Sequence, residues 1–189
     1  MLAVEPFASA IEALLRRERG RRAASLDANV RPRVIGDLSA FRSRFERQIA
    51  LATIVKASTE DLDLLYGDGA VPAAIADDWR RRGPALVVVT RGPEGSTAYT
   101  PKGPVDEPAR PVAVVDTVGA GDAFHAGFLA QLDASGLLDP AGLARLGRAE
   151  IARALETASA ASALVCARRG AEGPTRAEVE ALLGRSLDG

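Results

Sequence analysis

The chain has almost none of the residues that several common kinds of site require. Its 189 residues include one cysteine, Cys166, and one histidine, His125. A single cysteine excludes an intrachain disulfide and a zinc site built from cysteines. A single histidine excludes a His-rich metal site, and we expect His125, on an apolar helical pattern, to be structural rather than part of a Ser-His-Asp triad.

Strong charge and long apolar runs are also missing. The net charge of −1 argues against a broad surface for nucleic acid or anionic membranes. No apolar run is long enough to span a bilayer, and the first residues lack the pattern of a signal peptide. Aromatic residues make up 4% of the chain, so Ala, Leu, Val and Ile must form its core. We therefore expect a cytoplasmic globular protein, with residues 1–189 forming a single domain.

Strand and helix patterns alternate along the chain. Alternation of this kind predicts βαβ units and a mostly parallel sheet covered on both faces, which is a three-layer α/β/α sandwich. The predicted strands are 23–27, 52–56, 85–90, 96–100 and 112–115, and a loop is predicted at 101–111. The predicted helices are 6–19, 38–50, 58–66, 71–82, 121–132, 149–168 and 175–183.

The most informative segment is Asp-Thr-Val-Gly-Ala-Gly-Asp-Ala-Phe, residues 116–124. It lies between the predicted strand 112–115 and the predicted helix 121–132. Glycines in such a turn let backbone N–H groups approach a ligand, and the positive end of the helix attracts phosphate. We expect the backbone of Gly119, Ala120 and Gly121 to stabilise charge on a transferring phosphoryl group, although a plain tight turn is the alternative.

Asp122 lies inside this cradle, where its carboxylate would repel bound phosphate. Its presence indicates a catalytic base that takes a proton from a hydroxyl as the hydroxyl attacks phosphorus. Helix capping is the alternative explanation. The segment is neither a Walker loop, since no Gly-Lys-Ser/Thr follows, nor a dinucleotide fingerprint, since Phe124 replaces its third glycine.

Four further candidate residues occupy equivalent places in the predicted sheet. Asp27, Lys56, Thr90 and Asp116 each lie at or just after the end of a predicted strand. Sites in parallel α/β sheets lie beyond the carboxyl ends of the strands, so this placement favours one common site.

Several motifs in this order resemble the ribokinase-like (PfkB) carbohydrate kinases, and fructokinases and 2-keto-3-deoxygluconate kinases most closely. The matching segments are Ser-Leu-Asp-Ala-Asn-Val-Arg-Pro at 25–32, Val-Lys-Ala-Ser-Thr-Glu-Asp-Leu at 55–62, Val-Val-Thr-Arg-Gly-Pro-Glu-Gly-Ser at 88–96, the glycine motif continuing to Phe128, and 158–171. The resemblance implies an ATP-dependent kinase that transfers the γ-phosphoryl group to a sugar hydroxyl, with fructose favoured.

The resemblance also implies roles for individual residues. The sugar would be contacted by Asp27, Asn29, Arg31 and Asp122, and the nucleotide by Lys56, Ser58, Thr90, Gly92, Gly95, Gly119 and Gly121. The magnesium side would be served by Glu60 or Asp61, and a potassium ion by Asp116. Most of these residues also have a structural alternative. Asp27, Asn29 and Arg31 could form a hydrogen-bonded loop, and Gly92 and Gly95 could form turns. Lys56 could be a strand-end surface charge, Glu60 and Asp61 could be helix N-terminal charges, and Asp116 could be a cap or part of an ion pair.

The matched segments all belong to the C-terminal portion of this family. We find no counterpart of its first strands, its Gly-Gly…Asn sugar segment or its β lid. A kinase without its lid would admit water, so a catalytically silent nucleotide-binding fragment is the second hypothesis, and a 2-keto-3-deoxygluconate or nucleoside kinase the third. Loss of the first strands would expose a sheet edge and an apolar strip, which a second copy in a homodimer or the missing segment would cover.

Overall fold

The structure is a computed structural model that describes residues 4–188. Its helices are α1 Phe7–Glu18, α2 Pro32–Ile35, α3 Leu38–Ile49, α4 Thr59–Tyr66, α5 Pro72–Arg82, α6 Ala120–Ala134, α7 Pro140–Arg145, α8 Arg148–Cys166 and α9 Arg176–Leu183. Its strands are β1 Ser25–Asp27, β2 Ile54–Ser58, β3 Leu86–Thr90, β4 Ser96–Thr100 and β5 Gly103–Glu107. The predicted α/β class is confirmed.

The five described strands form one sheet in the order β1-β2-β3-β4-β5. Strands β1 and β2 are parallel, with Ser25 opposite Ile54 and Asp27 opposite Lys56. The connections from β3 to β4 and from β4 to β5 are only a few residues long. Parallel neighbours need a crossover of a dozen residues or more, so these two pairs are antiparallel and the sheet is mixed.

The sequence prediction was wrong at two neighbouring segments. Residues 112–115 form no strand, and Val114 and Val115 are 63% and 55% exposed. Four consecutive apolar residues predicted a buried strand, but among residues 4–188 the backbone of this segment bonds only through Val115 N–H, which donates to the Cys166 carbonyl at 2.8 Å. Residues 101–111, predicted to be a loop, contain β5, because Val105 is buried while its neighbours Pro104 and Asp106 face outward. This period of two is the signature of a half-buried strand.

The described residues form two compact units. The first extends to Val89 and includes Tyr99–Gly103; the second comprises Thr90–Ala98 and the residues from Pro104 onward. Whether the chain is one domain stays a prediction.

The core of the first unit is mainly aliphatic and contains a small group of packed aromatic side chains. Trp79 packs edge-on against Phe45 with ring centroids 5.6 Å apart, and its indole N–H donates to the Tyr66 hydroxyl at 2.9 Å. Burial raises the pKa of Tyr66 to about 12. The turn after α5 approaches α3 closely, since a Cβ on Gly83 would lie 2.8 Å from the Ala50 carbonyl oxygen. The aromatic residues of this unit therefore lie together within a core formed mostly by Ala, Leu, Val and Ile.

The second unit is dominated by the packing of α6 against α8. Helix α9 packs on α8, and Thr175 begins it as predicted, with a capping box in which Glu178 and Thr175 bond reciprocally. Within the described residues, no helix is both long and apolar enough to cross a membrane.

Candidate functional site

The parallel strands β1 and β2 carry an ion pair between two predicted site residues, one at the end of β1 and one in the middle of β2. Their parallel register places Asp27 opposite Lys56, and the ammonium Nζ lies 2.9 Å from Asp27 Oδ2. The two side chains are 7% (Lys56) and 16% (Asp27) exposed. A lysine at this depth needs an opposite charge nearby, so Lys56 is not a strand-end surface charge.

The segment after β1 holds the other two predicted sugar residues in a turn. Asn29 is exposed and adopts a φ of 39°, the one positive φ of a non-glycine residue among those described. The next amide, Val30 N–H, donates to Asp61 Oδ1 at 2.7 Å. Arg31 is exposed and bends back so that Nη1 donates to the Val30 carbonyl at 3.1 Å.

The start of α4 is a capping box. The Ser58 hydroxyl accepts from Asp61 N–H at 3.1 Å, and Asp61 Oδ2 accepts from Ser58 N–H at 2.9 Å. Asp61 is 4% exposed, whereas Glu60 is exposed. Among residues 4–188, no group of three or more His, Cys, Asp or Glu could hold a metal by itself. Magnesium is usually bound through one or two carboxylates and substrate phosphates, so Glu60 fits that chemistry.

The predicted nucleotide hairpin follows β3. Thr90 ends the strand, a single 3₁₀ turn spans Gly92–Glu94, and Arg91 N–H donates to the Gly95 carbonyl at 2.8 Å. Gly95 has a φ of 93°, and a Cβ there would lie 2.1 Å from the Glu107 carbonyl oxygen. Gly95 is therefore required by the close approach of the backbone.

A side-chain network that the sequence did not predict holds this hairpin. The Arg91 guanidinium donates to the hydroxyl of Thr97 in β4, and that hydroxyl donates to Asp106 Oδ1 in β5 at 2.6 Å. Thr97 at its centre is 4% exposed, whereas the Asp106 side chain is 68% exposed, so the network runs from a buried hydroxyl to the surface. The three residues lie on different elements, and no local sequence signal relates them.

Asp116 organises the loop before α6. Its Oδ1 accepts from Val118 N–H at 3.1 Å, and its Oδ2 accepts from Gly170 N–H at 2.9 Å. The hydrogen bond from Gly170 and then that from Val118 lower the pKa of Asp116 below its ordinary value. A carboxylate oxygen accepts more than one hydrogen bond, so the side chain keeps lone pairs that a cation could use.

The glycine motif forms the N-terminus of α6. Gly119 is the N-cap with a φ of 82°, and its carbonyl accepts from Ala123 N–H at 2.9 Å. A Cβ on Gly119 would lie 2.9 Å from the Ala171 Cβ, so the turn leaves no space for a side chain. Ala120 N–H donates to Thr117 O at 3.2 Å.

The next two backbone amides of α6 remain available. Within the described part of the chain, the N–H groups of Gly121 and Asp122 have no acceptor. The Asp122 side chain is exposed and makes no hydrogen bond or ion pair with any described residue. Unpaired amides at a helix N-terminus attract anions, so the turn has the chemistry of a phosphate cradle with a free carboxylate beside it.

The predicted site residues thus fall into two groups, one in each compact unit. Asp27, Asn29, Arg31, Lys56, Ser58, Glu60 and Asp61 lie in the first unit, and Thr90, Gly92, Gly95, Asp116, Gly119, Ala120, Gly121 and Asp122 lie in the second. A single site that includes both groups stays a prediction.

Comparison with known proteins agrees with these features. Residues 7–178 match the model of the "pfkB family carbohydrate kinase". A fructokinase from Rhizobium leguminosarum bv. trifolii is 47% identical over 135 residues, which cover 70% of this chain and 40% of the relative. The chain therefore spans well under two thirds of that relative's length.

Solved structures share the fold. A fructokinase with bound ATP from Xylella fastidiosa aligns with a TM-score of 0.86 at 29% identity, over 97% of this chain and 58% of that one. A fructokinase double mutant from Vibrio cholerae O395, in a form with fructose, ADP and potassium ion bound, aligns with a TM-score of 0.81 at 28% identity, over 96% of this chain and 57% of that one.

Proposed function

Because the chain belongs to the pfkB family of carbohydrate kinases, we propose that it transfers the γ-phosphoryl group of ATP to a hydroxyl of a sugar, with fructose as the favoured acceptor. The observation that carries the proposal is the free Asp122 carboxylate beside the unpaired amides of Gly121 and Asp122. The fructokinases among the relatives support the choice of fructose.

In the proposed reaction, Asp122 takes the proton of the attacking hydroxyl. The hydroxyl oxygen then forms a bond to the γ-phosphorus, the bond from that phosphorus to the bridging oxygen breaks, and ADP leaves with the electron pair. The amides at the start of α6 stabilise the charge on the transferring group, aided by the helix dipole. Gly119 and Gly121 have no side chains, which lets the backbone approach the phosphoryl group closely.

The remaining predicted site residues bind the substrates and ions in this proposal. Asp27, Asn29 and Arg31 contact the sugar, while Lys56, Ser58, Thr90, Gly92 and Gly95 contact the nucleotide. When bound, magnesium would neutralise charge on the phosphates, with Glu60 as the exposed carboxylate that fits it. Asp116 is the candidate ligand of a potassium ion, which is supported by the potassium-bound fructokinase.

The test compares Asp122→Asn with the wild-type chain in an ADP-release assay with MgATP and fructose. We expect turnover to fall by about 100- to 10,000-fold, the usual contribution of a general base. Asp133→Asn is the matched control, because Asp133 is an exposed aspartate near the other end of the same helix. If Asp122→Asn keeps more than about a tenth of the wild-type turnover, the assignment of Asp122 as the general base is refuted.

A second candidate function is nucleotide binding without turnover. It is favoured by the length of the chain, which covers 40% of the fructokinase from Rhizobium leguminosarum. Calorimetric titration with MgATP, together with assays on fructose, a 2-keto-3-deoxy sugar acid and a nucleoside, separates the candidates. Binding of MgATP with no phosphorylated product from any acceptor would favour this second function.

A further inference from the structure

Asp61 ties together two segments that both carry predicted site residues. Its Oδ1 accepts the Val30 amide at 2.7 Å, and its Oδ2 accepts the Ser58 amide at 2.9 Å. The residue is 4% exposed. Each oxygen of this buried carboxylate therefore accepts a hydrogen bond from a main-chain N–H, and the two donors lie in different segments. Hydrogen bonds to an ionised acceptor are shorter and stronger than those between neutral groups.

The segment that Asp61 holds contains an uncommon backbone conformation. Asn29 has a φ of 39°, which residues with a side chain adopt only rarely. The turn is fixed on both sides of Asn29, because Ala28 N–H donates to the Lys56 carbonyl at 2.9 Å and Val30 N–H donates to Asp61. Conformations of this kind persist only where the surroundings impose them, and they concentrate at functional sites.

We propose that Asp61 is a positioning residue that holds the turn at Asn29 for the sugar, and that it is not a magnesium-side ligand. This role rests on the proposed function, in which Asn29 and Arg31 contact the acceptor. Its oxygens already hold the backbone of the turn and of the α4 N-cap, and their remaining lone pairs are buried with a residue that is only 4% exposed. A magnesium ion, which keeps several of its waters, could reach them only by opening the turn. The exposed Glu60 next to it is the carboxylate that remains available.

The experiment uses Asp61→Asn, with Asp63→Asn as the matched control. An asparagine side chain has one acceptor oxygen and a donor amide in place of the second oxygen, so it cannot accept from both backbone amides. Asp63 lies on the same helix, and its side chain bonds to no described residue. The control therefore removes the same charge from α4 without touching the turn.

Kinetics separate a positioning role from a metal-side role. For Asp61→Asn we expect the KM for fructose to rise by about tenfold or more, the loss corresponding to one strong hydrogen bond. The KM for MgATP should rise by less than the KM for fructose, because the Ser58 hydroxyl still accepts from the backbone amide of residue 61. The magnesium dependence should stay at the wild-type level, as should all constants of Asp63→Asn. A raised magnesium requirement with an unchanged KM for fructose would overturn the proposal.

Amide hydrogen exchange supplies a measurement that does not depend on turnover. We expect the Val30 amide in Asp61→Asn to exchange at least about tenfold faster relative to the amides of β2, since its acceptor is lost. Equal Val30 exchange in the two proteins would refute the positioning role even if the enzyme is active. The two proposals can fail separately. If the wild-type chain phosphorylates no sugar but Val30 still exchanges faster in Asp61→Asn, the proposed function is refuted, whereas the role of Asp61 in fixing the turn is not. If Asp61→Asn does not fold, Asp61→Ser repeats the comparison with one short acceptor.

Discussion

Substituting Gly127 by alanine tests how tightly the helix that carries Asp122 is packed. Gly127 lies where α6 crosses α8, and it is buried. A Cβ at this position would lie 2.9 Å from the Ala161 Cβ, 3.2 Å from the Ala158 Cα and 3.2 Å from the Thr157 carbonyl oxygen. Two of these three atoms belong to the backbone of α8, so neither can move aside without shifting the helix.

Two opposing effects determine the size of the change. Alanine is about 1 kcal/mol better than glycine in the interior of a helix. An extra methyl in a well-packed site costs about 1–3 kcal/mol, and the backbone contacts favour the upper half of that range. We therefore expect Gly127→Ala to lower the free energy of unfolding by about 1–2 kcal/mol, or Tm by about 2–8 °C for a chain of this size.

Urea unfolding followed by circular dichroism measures this difference. Ala126→Gly is the control, because Ala126 is exposed on the same helix and reports the propensity term alone, which should cost about 1 kcal/mol. If Gly127→Ala were more stable than the wild-type chain by as much as Ala126→Gly is less stable, the methyl would meet no resistance. Close packing of α6 on α8 would then not explain the glycine.

Two other predictions concern the second unit. Thr97→Val removes the hydroxyl that links Arg91 to Asp106 and holds the hairpin. We therefore expect the Kd for MgATP to rise by about tenfold, the loss of one hydrogen bond to a charged group, and calorimetry that finds an unchanged Kd would contradict this. The Gly170 N–H holds the pKa of Asp116 below its ordinary value. The stabilisation from Asp116 is therefore complete above the unfolded-state pKa, about 3.9, and is lost as the pH falls through the lower folded-state pKa. The Gly170 amide chemical shift should follow this titration, and a midpoint at or above the ordinary aspartate value would refute the assignment.

The elements that the sequence predicted correctly are those set by local signals. Helix α4 follows a Ser-x-x-Asp pattern that the structure shows as a capping box, and α9 follows the equivalent Thr175 signal. Glycine motifs were equally informative, since Gly119 caps α6 in the left-handed conformation. In each case a few neighbouring residues determine the backbone, so no knowledge of the rest of the chain is needed.

Features that depend on distant residues could not be predicted in this way. The ion pair of Asp27 with Lys56 depends on the register of two strands, and the Thr97 network depends on three separate elements. The apolar segment 112–115 shows the converse, because hydrophobicity indicates that a segment prefers burial but not whether a neighbouring strand is present. The exposure of Val114 and Val115 shows that these side chains find no such partner among the described residues.

The explanation of Asp122 as a helix cap is the one that its geometry weakens. A capping side chain accepts a hydrogen bond from a first-turn amide, as Ser58 does for Asp61 N–H at 3.1 Å. Asp122 makes no such bond within the described residues, and Gly119 occupies the N-cap position. The helix dipole alone favours a negative charge there, but the dipole acts on any first-turn acid and requires no glycine turn beside it. A function that needs both the glycines and the carboxylate, such as phosphoryl transfer, accounts for their occurrence together.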